Sequence, residues 1–184
     1  MSIIDAHMVG DVQLKTLIDR QRLETRIAEL AQELSRDYAE TRPLLIGVLN
    51  GAAPFMMALV AYWPQITRSD IDYDFVDVSS YDGQESSGCV RLIKDLNMDI
   101  AGRDVILVED IVDTGLTMQY LLAELSARRP RSLKICSLLD KRARRRIDMP
   151  VDYCGFAIDD LFVVGFGLDY NQRYRALDYI AVLE

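Results

Sequence analysis

The sequence predicts an α/β fold in which helices flank a central, mostly parallel sheet. Three observations lead there. Apolar runs of strand length recur at Leu44–Leu49, Val105–Val108 and Ser132–Leu139. Helical patterns stand between them. The first two runs also break into short loops of small, polar or acidic residues just before a helix. Strand, loop, helix, strand is the order that builds a parallel sheet.

Each element has its own signal. Asp19 is a plausible N-cap for a helix reaching about Tyr38, with Leu23, Ile27, Leu30, Leu34 and Tyr38 on one apolar face. Pro43 precedes the strand Leu44–Leu49. Asn50-Gly51-Ala52-Ala53 follows, then a helix from Pro54 to about Tyr62, stopped at Trp63-Pro64. Ile71 to Tyr81 and Cys89 to Ile93 read as a hairpin with a flexible polar tip, either an inert surface feature or a lid. The central strand leads into a helix that runs from after Thr117 to about Arg128. Ser132 to Leu139 is the next parallel strand. Short β-like segments follow at Asp152 to Phe156, Leu161 to Phe166 and Tyr179 to Leu183. With 184 residues, half of them hydrophobic, the chain suits a single domain over 1–184.

The chemistry concentrates in Val105 to Met118, VILVEDIVDTGLTM. Two adjacent carboxylates, Glu109 and Asp110, end an apolar strand. Asp113, Thr114, Gly115, Leu116 and Thr117 then open a helix. Ligands of open α/β sheets bind at that end of the strands, and a glycine loop leading into a helix N-terminus offers backbone N–H groups to a phosphate. The acids alone fit a simple helix cap equally well, with Asp113 or Thr114 as the capping residue. Asn50-Gly51 is a second strand–loop–helix junction of the same kind, although Asn-Gly alone marks only a turn.

Composition removes several function classes. The net charge of −8 counts against nucleic acid and anionic membranes as partners. The basic run Lys141 to Arg146 reads as a solvated loop, apart from Lys141, which sits at a strand end on the ligand edge. The single histidine, His7, reads as a tail residue, so Ser-His-Asp or Cys-His chemistry is not expected. Cys89, Cys136 and Cys154 are widely spaced and odd in number, which argues against a disulfide framework. With no secretory signal and no run long enough to span a membrane, the cytoplasm is the expected location.

Val108 to Gly115 resembles, without a gap, the signature of the type I phosphoribosyltransferases. LIGVLNGA around Asn50, SSYDG through ESSGCVRLIKDL, LLDKR at Lys141, and FVVGFGLDYNQRYR from Phe162 to Arg175 resemble the 6-oxopurine (hypoxanthine-guanine) branch, in the same order. The resemblance implies a core over about 40–140. It also implies a small hood from about 1–18 and 141–184, and a flexible hairpin loop.

The implied reaction joins a free purine to phosphoribosyl pyrophosphate, releasing pyrophosphate. By the same resemblance Glu109 and Asp110 hold the ribose hydroxyls, directly or through Mg²⁺, and Asp113 is the acid–base at purine N7. Thr114 to Thr117 cradle the 5′-phosphate. Asn50, Gly51 and Arg175 hold pyrophosphate; many relatives carry lysine at the Asn50 position, and a non-proline cis peptide belongs to this loop. Lys141 donates to the 6-oxo group and Phe162 stacks on the base. From burial alone Phe162 would be a core aromatic. Val163 and Asp169 contact the purine edge, and the Asp169 side chain makes a second magnesium site. Ser80 and Tyr81 begin the lid. A homodimer or homotetramer is expected. The rivals are a phosphoribosyltransferase for another base, such as xanthine, and a nucleotide-sensing regulator of the same fold that binds nucleic acid.

Overall fold

The alternation read from the sequence is the architecture of the chain. The computed structural model describes residues 6–9, 12–65, 67, 70–80 and 90–184. The strands are β1 (Ala6–Val9), β2 (Val12–Ile18), β3 (Leu44–Leu49), β4 (Asp72–Ser80), β5 (Val90–Lys94), β6 (Asp104–Val112), β7 (Ser132–Asp140), β8 (Tyr153–Ala157), β9 (Val163–Val164) and β10 (Ile180–Leu183). The helices are α1 (Arg20–Asp37), α2 (Ala53–Tyr62) and α3 (Leu116–Ser126).

The main sheet has the order β5-β4-β3-β6-β7-β8. All pairings are parallel except that of the edge strand β5 with β4. β6 is therefore central, between β3 and β7. A second, antiparallel sheet, β1-β2-β10-β9, draws on both ends of the chain, while β8, within the stretch expected for the hood, joins the main sheet instead. His7 is not in a loose tail: it lies in β1, paired in register with Leu14.

Burial explains why β3 and β6 read as unbroken apolar runs. Successive side chains of a strand point to opposite faces. Leu45, Ile106 and Val108 pack under α1 and α2, with Leu23, Ile27, Leu30, Phe55 and Leu59. Leu44, Ile46, Val105 and Leu107 pack under α3, with Met118, Leu121 and Leu125. With both faces covered, every position must be apolar. Asp19 caps α1 as expected, its Oδ1 accepting from Arg22 N at 2.9 Å. Such a cap is worth about 1 kcal/mol.

The acids at the strand starts are all compensated. Asp104 accepts from Arg131 and, at 2.7 Å, from Ser132 Oγ. The Arg131 guanidinium is the main cause that lowers its carboxyl to about 2. Asp72 lies between Arg42 and Arg103. Burial alone would raise its carboxyl, but the two arginines bring it below its ordinary value. Asp74 is held likewise, by the Phe75 and Asn97 backbone and Lys94. The cysteines Cys136 and Cys154 are free, and burial pushes the Cys136 thiol far up. No helix among the described residues is long and apolar enough to cross a membrane.

Candidate active site

The opposite edge of the sheet is treated differently. β6 carries Glu109 and Asp110 to its carboxyl end with no basic side chain in hydrogen-bond contact among the described residues. Glu109 is buried; burial first, and then the charge of Asp110, push its carboxyl well up. Burial also raises Asp110, against hydrogen bonds from Glu109 and from Ile111 N (2.7 Å) and the more distant charge of Arg175. Two carboxylates side by side, one buried and one partly so, cannot both ionise cheaply without a cation or hydroxyl donors.

The helix cap is neither Asp113 nor Thr114. Gly115 is the N-cap of α3, at φ +87°. That left-handed conformation is open to glycine and strained for other residues. Thr114 Oγ1 accepts from Leu116 N at 3.4 Å, and its carbonyl accepts from Arg146 N (2.9 Å) and Ile147 N (3.2 Å). The segment after β7 thus braces the loop from behind. The helix starts at Leu116, two residues earlier than expected, because the glycine turns the chain sharply.

The loop after β3 meets this one. Its Leu49–Asn50 peptide is cis. Asn50 is exposed and Gly51 buried. A side chain at Gly51 would put Cβ 1.7 Å from Asp110 Oδ2, and one at Gly167 would put Cβ 1.9 Å from the Gly51 carbonyl. Arg175 donates to Gly167 O (2.7 Å) and Gln172 Oε1 (3.2 Å) and pairs with Asp169 Oδ1 (2.8 Å). Asp169 Oδ2 accepts from Gln172 N at 2.8 Å. A cleft of about 280 Å³ joins Asn50, Gly51, Glu109, Asp110, Asp113, Thr114, Gly115, Thr117 and Arg175. Asp169 does not line it, and no cluster of three possible metal ligands forms among the described residues, so Glu109 and Asp110 stand as a pair without Asp169.

Of the residues assigned to the purine, Lys141 is the one placed against Asp113. Lys141 is buried; its N–H donates to Val112 O at 3.0 Å. Its Nζ lies 3.9 Å from Asp113 Oδ2 and 3.8 Å from Asp160 Oδ1. Asp113 Oδ1 is buried and has no hydrogen-bond partner among the described residues. Phe162 is not a core aromatic: it is 52% exposed and meets Tyr170 edge-on at 5.7 Å. Val163 is buried in β9, paired with Val182. Ser80 ends β4; its side chain and all of Tyr81 fall outside the described residues, as does the hairpin tip.

Four participants escaped the sequence reading. Val78 and Met118 form apolar wall of the cleft. Arg144 Nη1 lies 3.4 Å from Asp113 Oδ2, and its Nε 3.9 Å from Asp160 Oδ1. Within the basic run Arg142, Arg144 and Arg146 are exposed, as expected of a solvated loop, but Arg145 is largely buried, and most of the run is not free charge. Arg142 and Arg145 pair with Asp140, while Lys141 and Arg144 pair with Asp113 and Asp160. The spacing of Lys141 and Arg144 was the only signal, and a spacing of three has meaning only once the turn type is known.

Known proteins share this architecture. Residues 13–171 match the phosphoribosyl transferase domain. The chain is 46% identical over 178 residues to the hypoxanthine-guanine phosphoribosyltransferase of Bacillus subtilis, covering 96% of each. It superposes on a crystal structure of a hypoxanthine-guanine phosphoribosyltransferase from Bacillus anthracis with a TM-score of 0.85 at 37% identity, over 95% of this chain and 100% of that one. On the hypoxanthine phosphoribosyl transferase of Trypanosoma cruzi the TM-score is 0.87 at 38% identity, over 97% and 95%. With its parallel sheet, its acid pair at the end of β6 and this match over most of its length, the chain belongs to the phosphoribosyltransferase family.

Proposed function

We propose that the chain is a purine-salvage enzyme that moves the 5-phosphoribosyl group from phosphoribosyl pyrophosphate to hypoxanthine or guanine. The products are pyrophosphate and IMP or GMP. One observation carries the reading: Asp113, on the phosphate-cradling loop, faces the buried ammonium of Lys141 at 3.9 Å. A carboxylate and an ammonium side by side match the N7 proton and the 6-oxo group of one purine edge. An adenine offers an amino group there, which an ammonium cannot bind.

The roles follow from the donors available. The backbone of Thr114 to Thr117, at the N-terminus of α3, receives the 5′-phosphate. Asn50, Gly51 and Arg175 receive pyrophosphate; Asn50 adds no charge, so Arg175, aimed by Asp169, is the cation. Glu109 and Asp110 accept the ribose hydroxyls. Phe162 offers an exposed ring for stacking, and Val163 and Asp169 border the purine edge. Ser80 and Tyr81 open the lid. As a purine nitrogen bonds to C1′, the C1′–O bond to pyrophosphate breaks and Asp113 takes the N7 proton.

The adjacent pair Glu109 and Asp110, both with raised carboxyls, fits Mg²⁺, a hard cation that takes oxygen ligands and keeps some of its water. Asp169 is a second, separate carboxylate for it. When bound, the ion would neutralise pyrophosphate charge. We take residues 1–184 to work as one unit. Free thiols suit a reducing cytoplasm. α2 carries no charged residue and leaves Met57 and Tyr62 exposed, which suits a homodimer or homotetramer.

The test is a panel: purified protein, phosphoribosyl pyrophosphate, MgCl₂, and each of hypoxanthine, guanine, xanthine, adenine and orotate. Nucleotide should form with hypoxanthine or guanine. Turnover of xanthine alone, or of adenine or orotate, would replace this reading with a different base specificity.

A further inference from the structure

Lys141 and Arg144 leave the main sheet on a shared turn. β7 ends at Asp140, and the chain enters one turn of 3₁₀ helix, Arg142–Arg144, with Lys141 as its N-cap. Arg144 N donates to Lys141 O at 3.4 Å. In a 3₁₀ turn, side chains three apart eclipse. The two cations therefore face the same way, toward Asp113 and Asp160.

The result is a square of four alternating charges. Both cations share Asp113 Oδ2, at 3.9 Å from Lys141 and 3.4 Å from Arg144. Both also share Asp160 Oδ1, at 3.8 and 3.9 Å. The inner pair, Lys141 and Asp113, is the more buried, with side chains 6% and 32% exposed. The outer pair, Arg144 and Asp160, is about half exposed.

A lone ammonium and carboxylate this close, with little water between them, attract strongly and close to a contact of roughly 2.7–2.9 Å. Each would then take up one of the other's hydrogen-bonding positions, and a purine would have to compete with that contact on binding. Here neither group has closed on the other. Lys141 is also drawn by Asp160, and Asp113 by Arg144. Asp113 Oδ1 meanwhile stays without a hydrogen-bond partner among the described residues.

We propose that Asp160 and Arg144 are positioning residues: they divide the attraction between Lys141 and Asp113 and so keep both groups open to the purine. Asp160 acts on the ammonium that meets the 6-oxo group, and Arg144 on the carboxylate that meets N7. Neither needs to touch the base. Their exposure lets them turn toward water as the base enters. The proposal rests on the reading of Lys141 and Asp113 as the purine-facing pair.

The test is a double-mutant cycle read by binding, so that no turnover is required. The dissociation constant of inosine 5′-monophosphate is measured by calorimetry for the unaltered enzyme, Asp160→Asn, Lys141→Met and the double variant. Asp160→Asn should weaken binding on the order of tenfold in the native background and change it little once Lys141 is gone. It should also raise KM for hypoxanthine while leaving KM for phosphoribosyl pyrophosphate and the melting temperature unchanged, and Asp160→Glu should recover part of the loss. Equal effects of Asp160→Asn in both backgrounds overturn the proposal, as does an unchanged constant in the native one. If Lys141→Met does not fold, Arg144→Met, at an exposed position, decides: a fall in kcat with hypoxanthine at constant melting temperature supports the proposal, and an unchanged kcat refutes it. An unaltered enzyme that converts no 6-oxopurine would instead bring down the functional reading beneath it.

Discussion

The two edges of the main sheet carry the same residue types under opposite electrostatic regimes. At the strand starts, Asp72, Asp74 and Asp104 are tied to arginine, lysine or backbone N–H, and their carboxyls are lowered. At the strand ends, Glu109 lies buried and Asp110 partly buried, and their carboxyls are raised. The first edge holds the fold together. The second keeps cations on Asp140 and Asp113 but leaves Glu109 and Asp110 uncompensated, a cost in stability that makes sense where a ligand is to supply the missing charge. A buried acid is therefore informative through its partners rather than through its burial.

That contrast can be broken by substitution. The largest effect is expected at Asp113, where Asp113→Asn should lower kcat by roughly 10²–10⁴-fold with phosphoribosyl pyrophosphate binding retained. Unchanged turnover in a stopped assay would remove Asp113 from the chemistry. Glu109→Gln comes next and should show both sides of the contrast in one protein. Affinity for phosphoribosyl pyrophosphate falls, while the ligand-free melting temperature rises by a few degrees, because a carboxyl raised on folding disfavours the folded state when ionised. A lower melting temperature would mean that Glu109 is structurally compensated after all.

Asp104→Asn is the mirror image: it should lower the melting temperature by several degrees and leave the kinetic constants alone. The pH dependence fixes its sign. A carboxyl lowered to about 2 stabilises the fold fully above its ordinary value of 3.8, and that contribution fades as the pH falls toward 2. The gap between native and variant melting temperatures should be wide at pH 6 and shrink across that window. A gap independent of pH would point to packing rather than charge.

These two regimes were unequally legible in the chain. Apolar runs announce β3, β6 and β7 because both faces of each strand are covered, and Asp19 announces α1 because a cap is a local bond. The acids after Val108 were visible as a motif. Their cation-free burial was not, since it depends on where every arginine ends up. The start of α3 misled for a related reason: Asp113 and Thr114 are good capping residues, but Gly115 alone permits the turn the loop needs. For Phe162 composition and motif pointed apart: aromatics are mostly buried, but this one is held at the surface against Tyr170, as a ring available for stacking would be. Arg144 and Asp160 lie sixteen residues apart, and only the turn after β7 brings them together.

Gly51 has a consequence of another kind. It lies against Asp110 on one side and Gly167 on the other, so two loops and the end of β6, distant in the chain, meet with no room for a methyl group. Variation at any of these positions is therefore conditional on the other two. A change that adds a side chain at 51 or at 167 must be met by movement at the other, so the contact ties two stretches more than a hundred residues apart into a single unit of inheritance and narrows the single-step paths open to this scaffold.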